Sequence, residues 1–490
     1  MKTSGYYIQG RNRIPIILAL LAMIIIGSLA VSMNNGSTTL SSSAEEPNAG
    51  SWKTWVIGSA KDFRLPAPPS ANSAQQTTEL TYLENVQSKR TQAQIDSAHF
   101  WDEGPATKRW TEIQLEMIKT HNPNPPRAAR GIALMHIAMY DALVAAWDSK
   151  YFYNRPAPSS VDHNLIPIVQ SRNNPSFPSE HAVVAGAASR ILQYLFPEQG
   201  SSWFESKANE AAMSRVWAGA NYPSDVKQGL ALGRAVADSV LAKAATDGSD
   251  TPWDGVRPTG ACNWKPTPPG YIYPPLEPTW GKVRPWLMSS GDQFRPGPPP
   301  ACNSLELFLQ MKEEVYRTVN TLSKEQREIA LFWSDGPGTF RPPGHWVDIT
   351  LNLVEKYNTN TPRTARIFAY LGASLMDAGI SVWDTKYTYW SVRPVTWIQE
   401  NIKPDWNPFI ETPPFPGYVS GHSGFSGAAA GTLGYFFPQE KITLEHMASE
   451  AALSRLYGGI HIQADNEVGL SMGKSIAMLA INHAMNDGAR

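Results

Sequence analysis

Three short blocks in the last quarter of the 490-residue chain hold side chains able to do chemistry on a charged substrate. The first contains Lys386 and Arg393, seven residues apart. At about 100° per residue that spacing leaves them roughly 20° apart around a helix, so both cations aim at one point from successive turns. Pro394 then disfavours helical geometry at Arg393 and is expected to end the helix there. The second block, Phe415-Pro416-Gly417-Tyr418-Val419-Ser420-Gly421-His422, leads into a predicted helix. A serine at or near an N-cap, a glycine with an unencumbered N–H and a helix N-terminus make an anion cradle with His422 beside it. In the third, Ser454-Arg455 is followed by His461 and Asp465. If His461 opens the next helix, Asp465 lies one turn along and accepts its Nδ1–H, leaving Nε2 as nucleophile or ligand. Singly these pieces are commonplace, since a lone His is usually core or surface and a Lys or Arg near a helix end usually serves the helix dipole. Together, three cations, a hydroxyl, an amide cradle and two histidines describe a site for a multiply charged tetrahedral or trigonal-bipyramidal oxyanion. No cysteine cluster or His-Glu-x-x-His pattern points to protein-held zinc.

These blocks must be carried by elements, and the chain repeats its elements. Arg130, Asp141, Trp147, Asp148 and Lys150 match Arg366, Asp377, Trp383, Asp384 and Lys386 at a constant offset of 236. Phe100-Trp101 with Gly104-Pro105 matches Phe332-Trp333 with Gly336-Pro337, Ser179 and His181 match Ser420 and His422, and Ser214-Arg215 and Asp225 match Ser454-Arg455 and Asp465. Conserved order and spacing within one chain argue for duplication of one unit. Residues 128–147, 182–196 and 225–245, and likewise 365–387, 423–437 and 465–485, are rich in Ala, Leu, Met and Val, with no competing period-two runs. The expected fold is all-α: two related helical bundles, the active site in the second. The domains expected are a leader with a polar linker at 1–50, a first bundle at 51–251, a connector at 252–305 and a second bundle at 306–490. The connector is set by proline: 13 of the chain's 40 fall between Pro252 and Pro300, which excludes regular helix or central strand.

Composition narrows the function. With 42 Lys+Arg against 43 Asp+Glu there is no global electrostatic case for nucleic-acid binding, so any anion site is local. Lys2, Arg11 and Arg13 precede an uncharged run from Ile14 to Met33, which reads as an export signal, either removed or kept as an N-terminal membrane anchor. No later segment is expected to cross a membrane. The body is expected to be extracellular, periplasmic or at the cell surface, where Cys262 and Cys302 can form a disulfide or remain free.

The pattern Lys386-x6-Arg393-Pro394, Ser420-Gly421-His422, Ser454-Arg455-x5-His461-x3-Asp465 resembles the three-part signature of type 2 phosphatidic acid phosphatases, bacterial nonspecific acid phosphatases and vanadium-dependent haloperoxidases. Val419 departs from it, the family usually having Pro there. Trp383 and Phe415 stand where chloroperoxidases place aromatic walls, so the flanks are most similar to those enzymes. The resemblance implies a vanadate cofactor, its oxygens held by Lys386, Arg393, Ser420, Gly421 and Arg455, with His461 as axial ligand, His422 as acid/base and Asp465 orienting His461. Halide and hydrogen peroxide would be the small-molecule partners and hypohalous acid the product, with Lys386 polarising the peroxide. The same ligand set suits a secreted acid phosphatase working through a phospho-His461 intermediate, phosphate then replacing or competing with vanadate. A non-catalytic oxyanion-binding protein is the third reading. The first half reads as a degenerate copy: Lys150 and Arg155 are five apart, Glu180 stands in place of Gly421 and Asn221 in place of His461, while Arg215 remains, with Glu180 as its expected partner. A remodelled site using His181, Glu180 and Asp225 is the alternative for that half.

Overall fold

A computed structural model describes residues 45–489 apart from Ser171. The expected leader, residues 14–33, lies outside the described residues. The first half comprises α1 (Ala74–Lys89), α2 (Gln92–Asp102), α3 (Lys108–His121), α4 (Pro125–Tyr153), the single turn α5 (Pro158–Val161), α6 (Glu180–Leu195), α7 (Ser201–Trp217) and α8 (Pro223–Ala244). The second begins with α9 (Leu305–Leu309), which runs through a π-helical stretch (Gln310–Tyr316) into α10 (Arg317–Asn320). It continues through α11 (Lys324–Phe332), α12 (Arg341–Lys356), α13 (Thr361–Tyr389), α14 (Pro394–Asn401), α15 (Gly421–Phe436), α16 (Lys441–Tyr457) and α17 (Gln463–Ala484). No strand occurs among the described residues, whose one isolated β-bridge joins Asn263 and Ser391. The chain is all-α, as expected.

The two 29-residue helices, α4 and α13, are started and stopped by the same local chemistry. Asn124 and Asn360 are N-caps whose side-chain oxygens accept the N–H of Arg127 and Arg363, and proline follows in each first turn. Each ends on a left-handed residue, Asn154 (φ 48°) and Trp390 (φ 51°), whose N–H returns to the carbonyl of Lys150 or Lys386. These two helices pack on each other where Gly372 meets Ala133: a Cβ on Gly372 would lie 2.9 Å from the Ala133 Cα. One continuous apolar core therefore runs through both halves. The stretch Pro125–Val161 is long and apolar enough to cross a membrane, which corrects the sequence expectation. Its apolar window is wholly buried, as a central core helix requires.

The structure gives the repeated residues a common purpose: each half is wrapped by an extended arm, and the repeated side chains clamp it. Asp141 accepts the N–H groups of Trp55, Val56 and Ile57, and Asp377 those of Trp286, Leu287 and Met288. Burial pushes both carboxyls up to about 6, against the three N–H donors that favour the ionised form. Trp147 donates Nε1–H to the Glu45 carbonyl and Trp383 to that of Leu276. Asp148 takes a bidentate pair from Arg64 and Asp384 one from Arg295. Arg130 and Arg366 close the C-terminal ends of α8 and α17 through the Ala244 and Ala484 carbonyls and the carboxylates of Asp247 and Asp487. Residues 276–295 of the proline-rich segment are thus an arm strapped to α13 as well as a link between halves. Cys262 and Cys302 form a disulfide across it. By loop-closure entropy, a bridge of this span, 40 residues, stabilises by about 4 kcal/mol.

Candidate functional site

Lys386 and Arg393 do not share a helix. α13 stops at Tyr389, four residues before the expected end, because Trp390 turns left-handed. Residues 391 and 392 then run extended, and Arg393 is the N-cap of α14. The cations converge all the same, because the chain turns back and both reach the 415–419 loop. Lys386 Nζ donates to the carbonyls of Pro416 (2.8 Å), Gly417 (2.8 Å) and Val419 (2.6 Å). Arg393 donates Nε–H to the Phe415 carbonyl and Nη1–H to the Ile460 carbonyl. Both lie over the Phe415 ring, 5.0 and 4.9 Å from its centroid, and Phe415 packs on Trp383. The two expected wall residues are therefore in contact and flank the cations.

Ser420 is the N-cap of α15 and Gly421 its first residue, as the motif predicts. The Ser420 N–H donates to the Asp465 carbonyl, and its hydroxyl accepts from Ser423 Oγ (2.9 Å). The loop before it contains a cis Tyr418–Val419 bond, and the first half has cis Phe177–Pro178 in the corresponding place. Ser391, which the sequence reading passed over, holds this loop: its Oγ accepts the Tyr418 N–H and its carbonyl the Gly417 N–H.

His461 does not open α17, whose N-cap is Ile462; it stands just before that cap. Asp465, in the first turn, is still within reach: His461 Nδ1 donates to Asp465 Oδ2 at 2.8 Å. Nε2 then accepts Nη1–H from Arg393 at 3.0 Å, which fixes the tautomer. Burial, then Arg393, Lys386, His422 and Arg455, push the His461 pKa well below its ordinary value, so the ring is neutral with its lone pair on Nε2. Burial pushes Asp465 up to about 6 while Lys386 and Arg393 pull it down.

Arg455 and His422 meet residues that the sequence reading missed. Arg455 Nη2 donates to the Trp333 carbonyl (2.5 Å) and Nε to Ser454 Oγ. Asp335, left-handed at φ 45° in the loop after α11, accepts from His345 Nδ1 at 3.1 Å and has Oδ2 3.7 Å from His422 Nε2. His345 stacks on Trp333. Trp333 and Gly336 were visible as repeated residues, but nothing local marks the Asp335 and His345 between and beyond them, because only the fold carries them to α15.

All three site cations are buried, and among the described residues none forms an ion pair with a carboxylate: Lys386 and Arg393 spend their donors on carbonyls and His461, Arg455 on carbonyls and a hydroxyl. Burial pushes Arg393 and Arg455 down to about 10. In the first half every counterpart is paired: Arg155 with Asp225 and Glu79, Lys150 with Glu180, Arg215 with Asp102. Glu180 thus pairs with Lys150 and Arg172 and not, as expected, with Arg215.

A pH dependence follows. Asp465 must be ionised to accept the His461 proton, so oxyanion affinity is expected to fall as pH drops through about 6. The sign for stability is opposite. A carboxyl whose folded pKa is raised destabilises the fold above that pKa, and the penalty is relieved as pH falls toward its unfolded value of about 4. Vanadate titrations and circular dichroism between pH 4 and 8 check this, affinity falling in a window where Asp465 protonation does not weaken the fold. Constant affinity across the window would refute the dyad.

Both halves of the chain are similar to known proteins. The VCPO second helical-bundle domain model matches residues 366–447 and 439–487, and the PAP2 superfamily model matches residues 131–246, the corresponding part of the first half. Vanadium chloroperoxidase of Curvularia inaequalis is 23% identical over 390 residues, covering 65% of this chain and 63% of that protein. The chain thus spans a little under two thirds of that relative's length. The crystal structure of the first bacterial vanadium-dependent iodoperoxidase superposes with a TM-score of 0.63 at 28% identity, covering 85% of this chain and 98% of that one. A holo-type bacterial vanadium-dependent chloroperoxidase, 14% identical with a TM-score of 0.55 over 76% of this chain and 97% of its own, shares the fold. One family model thus matches each half, and the chain is similar in sequence and fold to the superfamily that joins the PAP2 phosphatases and the vanadium haloperoxidases.

Proposed function

We propose that this protein is a vanadate-dependent haloperoxidase that oxidises halide with hydrogen peroxide to hypohalous acid. The observation that carries the reading is the trio of buried, unpaired cations. Asp465 offsets part of the charge on Lys386 and Arg393, and Asp335 part of that on Arg455, but none of the three cations is in an ion pair among the described residues, so the buried cluster favours an anion of multiple charge among them. Vanadate fits: Arg393 Nη2 and His422 Nε2 are buried nitrogens without a hydrogen-bond partner among the described residues. Arg393 and Arg455 would hold its oxygens with the Ser420 hydroxyl and the Gly421 N–H, Lys386 would add positive charge from beside them while its N–H groups hold the 416–419 loop, and His461 Nε2 would be the nitrogen donor to it. When bound, vanadate supplies a Lewis-acidic centre that activates peroxide toward halide.

The chain's own residues do the rest. Asp465 keeps the Nδ1 proton in place so that Nε2 stays a donor lone pair. His422, whose pKa is pushed down by burial and Arg455, releases a proton readily and holds one beside Asp335. Trp383 and Phe415 wall the site, strengthening every electrostatic contact inside it. Export is part of the proposal, supported by the disulfide, which persists outside the reducing cytoplasm.

A second reading has the same cradle hydrolysing phosphomonoesters, His461 Nε2 attacking phosphorus and His422 protonating the leaving oxygen. A neutral His461 oriented by Asp465 suits both. The test strips the protein of metals, adds vanadate, and measures chloride, bromide and iodide oxidation alongside p-nitrophenyl phosphate hydrolysis. Peroxide-dependent halogenation that appears with vanadate and falls in excess phosphate is expected. Robust phosphomonoester turnover without peroxidase activity overturns the first reading in favour of the second.

A further inference from the structure

The first half repeats the cradle to a degree its sequence does not suggest. Lys150 Nζ donates to the Pro175 carbonyl at 2.6 Å, as Lys386 does to that of Pro416. The Ser179 N–H donates to the Asp225 carbonyl as Ser420 does to that of Asp465, and Ser179 is the N-cap of α6 as Ser420 is of α15. Arg215 Nη1 lies 3.4 Å from His181 Nε2. Gly233 of α8 and Gly473 of α17 let these helices touch α6 and α15 so closely that a Cβ would lie 2.0 and 2.3 Å from the facing carbonyl oxygens. A cavity of about 50 Å³ opens here, lined among others by Lys150, Arg172, Glu180, His181, Arg215 and Asn221.

We infer that the Glu180 carboxylate is a built-in substitute for the oxyanion, and that this half is an anion-binding site closed by its own side chain. Glu180 opens α6 at the position of Gly421. Its Oε1 lies 3.1 Å from Arg172 Nη1, and its Oε2 lies 3.8 Å from Lys150 Nζ and accepts from Asn174 Nδ2 at 3.0 Å. It is therefore a buried anion held at a helix N-terminus by two cations and an amide, the set of donors that an oxyanion takes. Glu45, on the arm clamped to α4, also faces the cluster, and burial and Glu180 raise its pKa. Both lysines are buried, but Lys150 has the Glu180 carboxylate at 3.8 Å, whereas Lys386 forms no ion pair among the described residues. The ligand class is the same as in the second half, a tetrahedral oxyanion, and the inference rests on the reading of that half as an oxyanion site.

The experiment counts orthovanadate bound per chain by equilibrium dialysis, with phosphate as a second probe. One equivalent is expected for the unmodified protein and two for Glu180→Gly, with Glu180→Ala as the alternative if glycine at the start of α6 prevents folding. His461→Ala in the Glu180→Gly background is expected to bind one equivalent, now sensitive to Lys150→Met. Thermal melting of Glu180→Gly should gain a phosphate-dependent rise absent from Glu180→Gly/Lys150→Met. If removing Glu180 adds no equivalent, or the added one ignores Lys150, the inference is wrong. If the unmodified protein binds none while Glu180→Gly binds one, the second-half reading fails and this one stands.

Discussion

His461→Ala is expected to abolish turnover, whether the reaction is halide oxidation or ester hydrolysis, while the protein remains folded. The imidazole touches the rest of the site through two bonds, Nδ1–H to Asp465 and Arg393 Nη1–H to Nε2. Truncation removes the neutral nitrogen lone pair that Asp465 and Arg393 hold in place among the cations. The loss should be on the order of 10⁴- to 10⁶-fold, the scale at which enzymes lose rate when a nucleophile, its base or the group orienting that base is removed. His461 is 2% exposed, so its truncation leaves a buried cavity and some stability is lost with the ring. His461→Gln separates the effects: its amide N–H can still serve Asp465, so the melting temperature recovers more than the activity does. Dialysis gives the second readout, because vanadate binding falls with activity if His461 is the axial donor. A variant that keeps half the turnover, or loses turnover with undiminished vanadate affinity, would remove His461 from the centre of the site.

Much of this site was legible in the sequence, and the parts that were not share one physical cause. Ser420 at an N-cap, Gly421 at the first helical position and Asp465 within reach of His461 are local relations, set by residues one to four apart, and spacing reports these well. The helix of Lys386 was also legible, but its end was misread: Pro394 signalled a stop, whereas the chain turned at Trp390, a residue with no preference for the left-handed conformation. There the arm decides, since Trp264 N–H donates to the Trp390 carbonyl and Val392 N–H to that of Cys262. Asp335, His345 and Ser391 were invisible for a similar reason. Ser391 meets Tyr418 27 residues on, Asp335 meets His422 on α15, and His345 reaches Asp335 across the loop after α11, so their value exists only in the folded chain. The repeated residues Arg130, Asp141 and Trp147 were found by offset alone, and the structure supplied their work as clamps for extended arms. Bulk composition was least informative: a net charge of −1 conceals both three unpaired cations in one half and their fully paired counterparts in the other.

Lys386→Met is expected to lower stability even without any oxyanion, which distinguishes it from His461→Gln. The resemblance gives this lysine a ligand's role, but in the structure all three of its N–H bonds go to the carbonyls of Pro416, Gly417 and Val419. Burial and Arg393 push its pKa far down, whereas three carbonyl acceptors favour the ammonium, and the balance makes its charge depend on the loop staying in place. Methionine preserves length and apolar contact but leaves three carbonyls of a buried segment without a donor, at about 1–3 kcal/mol each, offset in part by no longer burying a charge. The loop so freed leads directly into Ser420, Gly421 and His422, so oxyanion affinity falls with the melting temperature. Lys386→Arg should not restore either, because the site is 0% exposed and a planar fork cannot reproduce three convergent N–H bonds. Urea unfolding of the vanadate-free proteins checks the first claim and vanadate dialysis the second. If Lys386→Met unfolds at the same urea concentration as the unmodified protein, the lysine serves only the anion, and the tether to the 416–419 loop carries no weight.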